Sequence, residues 1–213
     1  MWLEKLCNKN EIRENASREN ERLGNARSLS ISENMTFIGV PQSLSDVLQG
    51  RDKRVLIQQH LQKQFEKPLV SFKLNIPGAV KYSPEIHEIF DAGVKAFRQQ
   101  IEAKGHVIAF EKSIVENTGP EYFAVMEAST ACVKALTLHI EDQHPLGRIF
   151  DFDVLDEKGV QLSRQDLGMD QRLCLVCEKD AFVCARQRSH ELEVLIHKIL
   201  ELHQAFFKGG IIF

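Results

Sequence analysis

Apolar side chains recur along this chain in two rhythms, and each rhythm predicts an element. In SPEIHEIFDAGVKAFRQQIEAKG they fall at Ile86, Phe90, Val94, Phe97 and Ile101, the three-to-four spacing of one helix face. Ser83 is placed to cap that helix, Pro84 suits its first turn and Gly105 can end it. SLSDVLQGRDKRVLIQQHLQKQF carries Leu44, Val47, Leu48, Val55, Leu56 and Leu61 and predicts an earlier helix, capped by Ser45 and finished before Pro68. A last amphipathic helix, with Leu192, Leu195, Ile196, Ile199 and Leu202, is expected between Ser189 and Phe207.

The other rhythm is strict alternation, the mark of a half-buried strand. PLVSFKLNIPG alternates Val70, Phe72, Leu74 and Ile76. HVIAFEKSIV and EYFAVMEA read as two strands parted by the turn-rich ENTGP. Cys132 to Ala135 reads as a helical turn, and LTLHIED as a strand with Leu136, Leu138 and Ile140 on one side and Thr137, His139 and Glu141 on the other. After QHPLGR comes the strand IFDFDVLD, then the turn DEKG and a returning strand VQLS. The fold class expected from this order is α+β, a mostly antiparallel sheet with flanking helices. Residues 1–36, rich in Asn, Glu, Arg and Ser, are expected to form a flexible polar N-terminal extension, with 37–213 a single domain.

Charge and composition narrow the function. The 213 residues are 43% hydrophobic and 27% charged with a net charge of −3, so no global field draws nucleic acid or an anionic membrane. No apolar run is long enough for a membrane span and the N-terminus lacks a signal-peptide pattern, so a cytoplasmic protein is expected. Five cysteines, three of them crowded between Cys174 and Cys184, fit reduced thiols or a metal site better than a secreted disulfide framework.

The chemistry concentrates in HPLGRIFDFDVLD. A strand there sends Asp151 and Asp153 to one face, where two carboxylates side by side call for a positive partner. With LTLHIED as a neighbouring strand, His139 and Glu141 would join them. Such a face suits Mg²⁺, a hard cation that takes oxygen ligands and borrows the rest from phosphates, and so suits phosphoryl or nucleotidyl transfer. A solvated strand edge shows the same residues. Gly147 would let the backbone approach a phosphate, and Arg148 would offer it a planar fork. Lys81, Arg164 and Arg172, with Arg186 and Arg188, are candidates for further phosphate contacts, or are plain surface charges.

CLVCEKDAFVCARQRSH sets Cys174, Cys177, Cys184 and His190 at a spacing that can seat structural Zn²⁺. It equally allows a helix from Asp180 that buries Val183 and Cys184 as small core residues, with His190 near a cap. A redox C-x-x-C lacks the surrounding context.

The ordered motifs PLVSFKLNIPGAVK, TGPEYF, HPLGRIFDFDVLDEKG, LSR and RLCLVCEKDAFVCARQRSH resemble the citrate lyase holo-acyl-carrier-protein synthases, or apo-citrate lyase phosphoribosyl-dephospho-CoA transferases, from about Ile38 to about His203. The resemblance implies a catalytic domain over 37–213. It would transfer the 2′-(5″-phosphoribosyl)-3′-dephospho-CoA group from 2′-(5″-triphosphoribosyl)-3′-dephospho-CoA to a serine of the apo acyl carrier protein, the gamma subunit of citrate lyase, releasing pyrophosphate. The family's G-R-x2-D-x-D element falls on Gly147, Arg148, Asp151 and Asp153, and is similar to a nucleotidyltransferase signature, with Arg148 where serine or glycine is usual. On that reading Asp151 and Asp153 hold Mg²⁺ with Glu141 as third ligand. His144 or His139 accepts the serine proton, and Arg148, Arg164, Arg172, Gly147 and Lys81 serve the phosphates. Two other readings stand beside it: a synthase for another carrier, such as that of malonate decarboxylase, and a non-catalytic zinc-bearing adaptor that docks the carrier.

Overall fold

A computed structural model describes residues 36–209. The extension expected over 1–36 therefore lies outside the described residues, apart from its last position. Among the described residues five helices flank one five-stranded antiparallel sheet, which agrees with the α+β expectation. In chain order these are α1 (Leu44–Phe65), β1 (Leu69–Leu74), α2 (Pro84–Ala103), β2 (Ile108–Glu116), β3 (Gly119–Met126), α3 (Thr130–Gln143), β4 (Phe150–Leu155), β5 (Gln161–Leu162), α4 (Ala181–Gln187) and α5 (Leu192–Phe207). The strands lie in the order β2-β3-β1-β4-β5, with β1 at the centre.

Alternation along the strands decides what each face does. Val70 and Phe72 of β1, Tyr122, Ala124 and Met126 of β3, and Phe150, Phe152 and Val154 of β4 share one face and are buried. The stripe Ile86, Phe90, Val94, Phe97 and Ile101 of α2 packs onto them, joined by Val133 and Leu136 of α3 and Ile199 of α5. Phe72 and Phe152 stack across the strand pair with ring centroids 4.1 Å apart. The second face is apolar only toward one end, where Leu69, Phe123 and Val125 meet Leu61 of α1. Toward the other end it is polar, and there Asp151 and Asp153 stand.

Two expectations are corrected. The cap of α1 is Ser43, not Ser45: its Oγ accepts from the Asp46 N–H at 3.2 Å while Asp46 accepts from the Ser43 N–H at 2.9 Å, a reciprocal capping box. Most of the apolar stripe of that helix is solvent-facing, with Leu44, Leu48, Val55 and Leu56 exposed and Leu61 buried. The second correction is larger. LTLHIED is not a strand but the C-terminal half of α3. Ten residues of this helix are buried, among them Lys134, Thr137 and Glu141, so too little solvent face remains to print a helical period on the sequence.

The turn from α3 into β4 is built on Gly147. A Cβ at that position would stand 2.4 Å from the Glu141 carbonyl oxygen and 2.7 Å from that of Ile140, both backbone atoms that cannot swing aside. The glycine therefore serves the close approach of this turn to the end of α3. Gly147→Ala is expected to cost about 1–3 kcal/mol, read as a thermal midpoint lower by roughly 3–10 °C in a melt followed by circular dichroism.

Candidate active site

Lys73 supplies the positive partner of the two aspartates. In the β1–β4 register it lies directly opposite Asp151, while Ser71 lies opposite Asp153. The Lys73 ammonium reaches diagonally, donating to Asp151 Oδ2 and, at 3.0 Å, to Asp153 Oδ2. Burial would lower the pKa of Lys73, but the two carboxylates outweigh it and raise it. Asp151 shifts the opposite way: burial pushes its carboxyl up, and Lys73, Arg172 and Lys134 bring it below the usual carboxylate range. Asp153 also accepts from Gln161 Nε2 at 2.5 Å. The sequence reading missed Lys73 because its partnership depends on which strands are neighbours.

What fixes the carboxylates is the residue between them. Phe152 is anchored by its ring in the core and by its backbone at the edge of β4. There β5 pairs only with Val154 and Leu155, so the preceding residues have no strand beyond them. Side chains of α3 fill the gap. Glu141 Oε1 accepts from the Phe152 N–H at 2.9 Å, and Lys134 Nζ, seven residues earlier and so two turns back on the same helix side, donates to the Phe152 carbonyl at 3.1 Å. Arg172 Nη2 donates to the carbonyl of Phe150. The carboxylate of Glu141 meets Arg164 at 3.1 Å and Arg172 at 3.3 Å through Oε2. It is 5% exposed, and burial raises its pKa against the pull of Arg172, the Phe152 N–H, Lys134 and Arg164. Glu141 is thus a hub for cations and strand edge, and it does not share a face with the aspartates. His139, two positions earlier, falls on another side of α3.

Three guanidinium groups converge beside this edge. Arg148, Arg164 and Arg172 line an open cleft of about 860 Å³ together with Asp142 and the loop through Cys174 and Cys177. Arg164 bridges Glu141 and Asp142, the latter at 2.7 Å. Arg148 has no carboxylate partner among the described residues; burial, then the neighbouring Arg172 and Arg164, lower its pKa. Asp142, Asp170 and Glu178 also line the cleft, so its charge is mixed, but Arg148 stands at ion-pair distance from none of them and its guanidinium fork is available to an anion.

The remaining candidates are placed elsewhere or otherwise engaged. Lys81 lies with Lys73, Arg54 and Glu121 along the polar sheet face, donates to the Ile76 carbonyl at 2.5 Å, and has its pKa lowered by burial. His144 ends α3. Its Nδ1 accepts from the Leu146 N–H at 3.1 Å and its ring packs against Phe150 and Phe206. With Nδ1 so occupied, the neutral ring carries its proton on Nε2, and neither nitrogen offers a lone pair to a substrate. In this arrangement the Nδ1 lone pair of His144 is engaged within the chain rather than turned to the arginine cleft. Arg186 and Arg188 are exposed.

The Cys–His segment is drawn together. Cys174, Cys177, Cys184 and His190 bring their ligand atoms all within 4.8 Å of one another, and among the described residues they are the one group of His, Cys, Asp or Glu found so arranged. Cys184 is buried, as one reading expected, but Val183 is not. The N–H groups of Val176 and Cys177 point at Cys174 and, against burial, bring its thiol down to about 7.

The pattern of one protein family, "Apo-citrate lyase phosphoribosyl-dephospho-CoA transferase", matches residues 42–206. The chain belongs to that family. Its matched region, from Gln42 to Phe206, includes every strand of the described residues together with the D-x-D pair, the arginine cleft and the Cys–His group. A probable apo-citrate lyase phosphoribosyl-dephospho-CoA transferase of Vibrio cholerae serotype O1 (strain M66-2) is 41% identical over 161 residues, covering 75% of this chain and 90% of the relative. Apo-citrate lyase phosphoribosyl-dephospho-CoA transferases of Escherichia coli O1:K1 / APEC and Shigella boydii serotype 18 are each 38% identical over 157 residues, 74% of this chain and 86% of theirs. The family resemblance carried by the sequence motifs is borne out. No helix among the described residues is long and apolar enough to cross a membrane.

Proposed function

We propose that this chain transfers the 2′-(5″-phosphoribosyl)-3′-dephospho-CoA group from its triphosphate donor to a serine of the apo acyl carrier subunit of citrate lyase. The serine oxygen bonds to the phosphorus nearest the ribose, the bond from that phosphorus to pyrophosphate breaks, and the hydroxyl proton is released. Beyond family membership, the observation that carries this reading is the D-x-D strand beside a cleft lined by three guanidinium groups, joined where Arg172 bonds the Phe150 carbonyl of that strand.

Each group then has a task. Arg148, free of carboxylate partners, takes a donor phosphate outright, and Arg164 and Arg172 are held at the cleft by Glu141 and by the β4 edge for the others. Asp151 and Asp153, which both accept from Lys73 here, are the carboxylates that would hold Mg²⁺, a cation that takes oxygen ligands and would share them with the donor phosphates. Glu141 stays with its arginines. A bound Mg²⁺ supplies charge neutralisation on the phosphates and on the departing pyrophosphate.

The test is the intact mass of apo carrier after incubation with this protein, the triphosphoribosyl-dephospho-CoA donor and Mg²⁺. The expected result is a gain equal to the prosthetic group, slowed by about tenfold or more in Arg148→Ala. No gain with a verified donor and carrier overturns the reading. A gain on the malonate decarboxylase carrier alone moves the acceptor.

A further inference from the structure

The long segment after β4 folds with almost no core of its own. From Asp156 through Glu191, Cys184 is the one buried residue. Leu173 and Phe182 are exposed, and α4 is seven residues long, far too short to persist as an isolated helix in water. Yet the segment turns back on itself with defined geometry. Leu173 and Asp180 form an antiparallel bridge, the Cys174 N–H donates to the Lys179 carbonyl at 2.7 Å and the Ala181 N–H to the Arg172 carbonyl at 2.8 Å. This makes a knuckle with Cys174 and Cys177 at its tip, followed at once by α4, which brings Cys184, and by the link to α5, which brings His190. A segment without hydrophobic filling is where small folds rely on a staple.

The distances name the staple. Tetrahedral Zn²⁺, with Zn–S about 2.3 Å and Zn–N about 2.0 Å, sets two sulfurs about 3.8 Å apart and a sulfur and nitrogen about 3.5 Å apart. Here Cys177 Sγ lies 3.6 Å from Cys184 Sγ and 3.4 Å from His190 Nε2. The amides of Val176 and Cys177 directed at Cys174 give that sulfur the outer-shell donors that orient a thiolate ligand. We infer that Cys174, Cys177, Cys184 and His190 bind one structural Zn²⁺ that closes the 172–190 segment and holds the wall of the arginine cleft. All four positions are occupied by protein, so the ion has no open site for substrate. Its consequence for the cleft runs through Arg172, two residues before Cys174, whose guanidinium bonds the Phe150 carbonyl and Glu141.

The full chain, purified without an affinity tag, is analysed for metal and then exchanged with Co²⁺. The expected results are one zinc per chain and, in the cobalt form, the intense visible bands and sulfur-to-cobalt charge transfer of a tetrahedral thiolate site. His190→Cys, which preserves a four-ligand set, should keep one zinc and shift the cobalt spectrum, and Cys177→Ala should lose stoichiometric metal. Removing zinc from the wild type with a chelator should open the 163–191 region to protease while the sheet stays protected. Metal-free protein that takes up neither ion, or a Cys177–Cys184 disulfide in its place, overturns the inference. These readouts need no donor or carrier, so they stand apart from the test of transferase activity.

Discussion

Asp151→Asn is expected to slow prosthetic-group transfer by at least about a hundredfold, since it removes one of the two carboxylates proposed to hold the Mg²⁺ that would balance phosphate charge during reaction. The fold should scarcely notice. The Lys73–Asp151 pair is part-buried but still reached by water, with a quarter and about a third of the two side chains exposed, and Lys73 keeps Asp153 in the variant. A pair of that kind contributes about 0–1 kcal/mol. Its pH dependence has the matching sign. Because the Asp151 carboxyl is held below its ordinary value, its contribution is complete above the normal carboxylate range and fades only as pH falls through the lowered value. Near neutral pH the Asp151 carboxyl is ionised in the wild type. Initial rates of carrier modification, set beside a thermal melt, check the expectation. A rate within a factor of a few of wild type would remove the D-x-D pair from the chemistry.

Glu141→Ala is expected to do the reverse, striking stability first. The change leaves Arg164 and Arg172 without their shared carboxylate, Lys134 without the largest of its counter-charges and the Phe152 N–H without an acceptor. Breaking a buried charge network by removing one partner costs about 3–5 kcal/mol, and in a domain of this size that lowers the melting temperature by roughly 6–20 °C. Glu141→Gln keeps a carbonyl for the Phe152 N–H and should fall between the two. An unchanged melt with lost transfer would instead restore Glu141 as a metal ligand.

These two residues also mark where the sequence was legible. Asp151 and Asp153 announce their face because β4 is half-buried, and alternation then reports burial directly. The stripe, cap and proline of α2 were readable for the same reason, one face in the core and one in water. Helix α3 defeats that logic. Enclosed on most sides, it carries apolar and polar residues all round, and six of them happen to alternate. Its assignment as a strand then misplaced Glu141 among the aspartates. Lys73 was visible on the polar side of PLVSFKLN, but the β1–β4 register joins residues nearly eighty positions apart. Nothing local records such a pairing. The capping box at Ser43 and Asp46 was readable, had serine been tested against the acid three residues on.

The side chains along the outer edge of β4 have a further consequence. An uncovered strand edge is a template on which another chain can add a strand, and proteins commonly blunt it with charge. Here Glu141, Lys134 and Arg172 already occupy the backbone groups of Phe152 and Phe150. The carrier therefore cannot dock by extending the sheet at this edge, and neither can a second copy of the enzyme. Losing Glu141 would do more than loosen a helix: it would expose a sticky ribbon beside the most aromatic part of the molecule, and self-association would accompany the loss of stability.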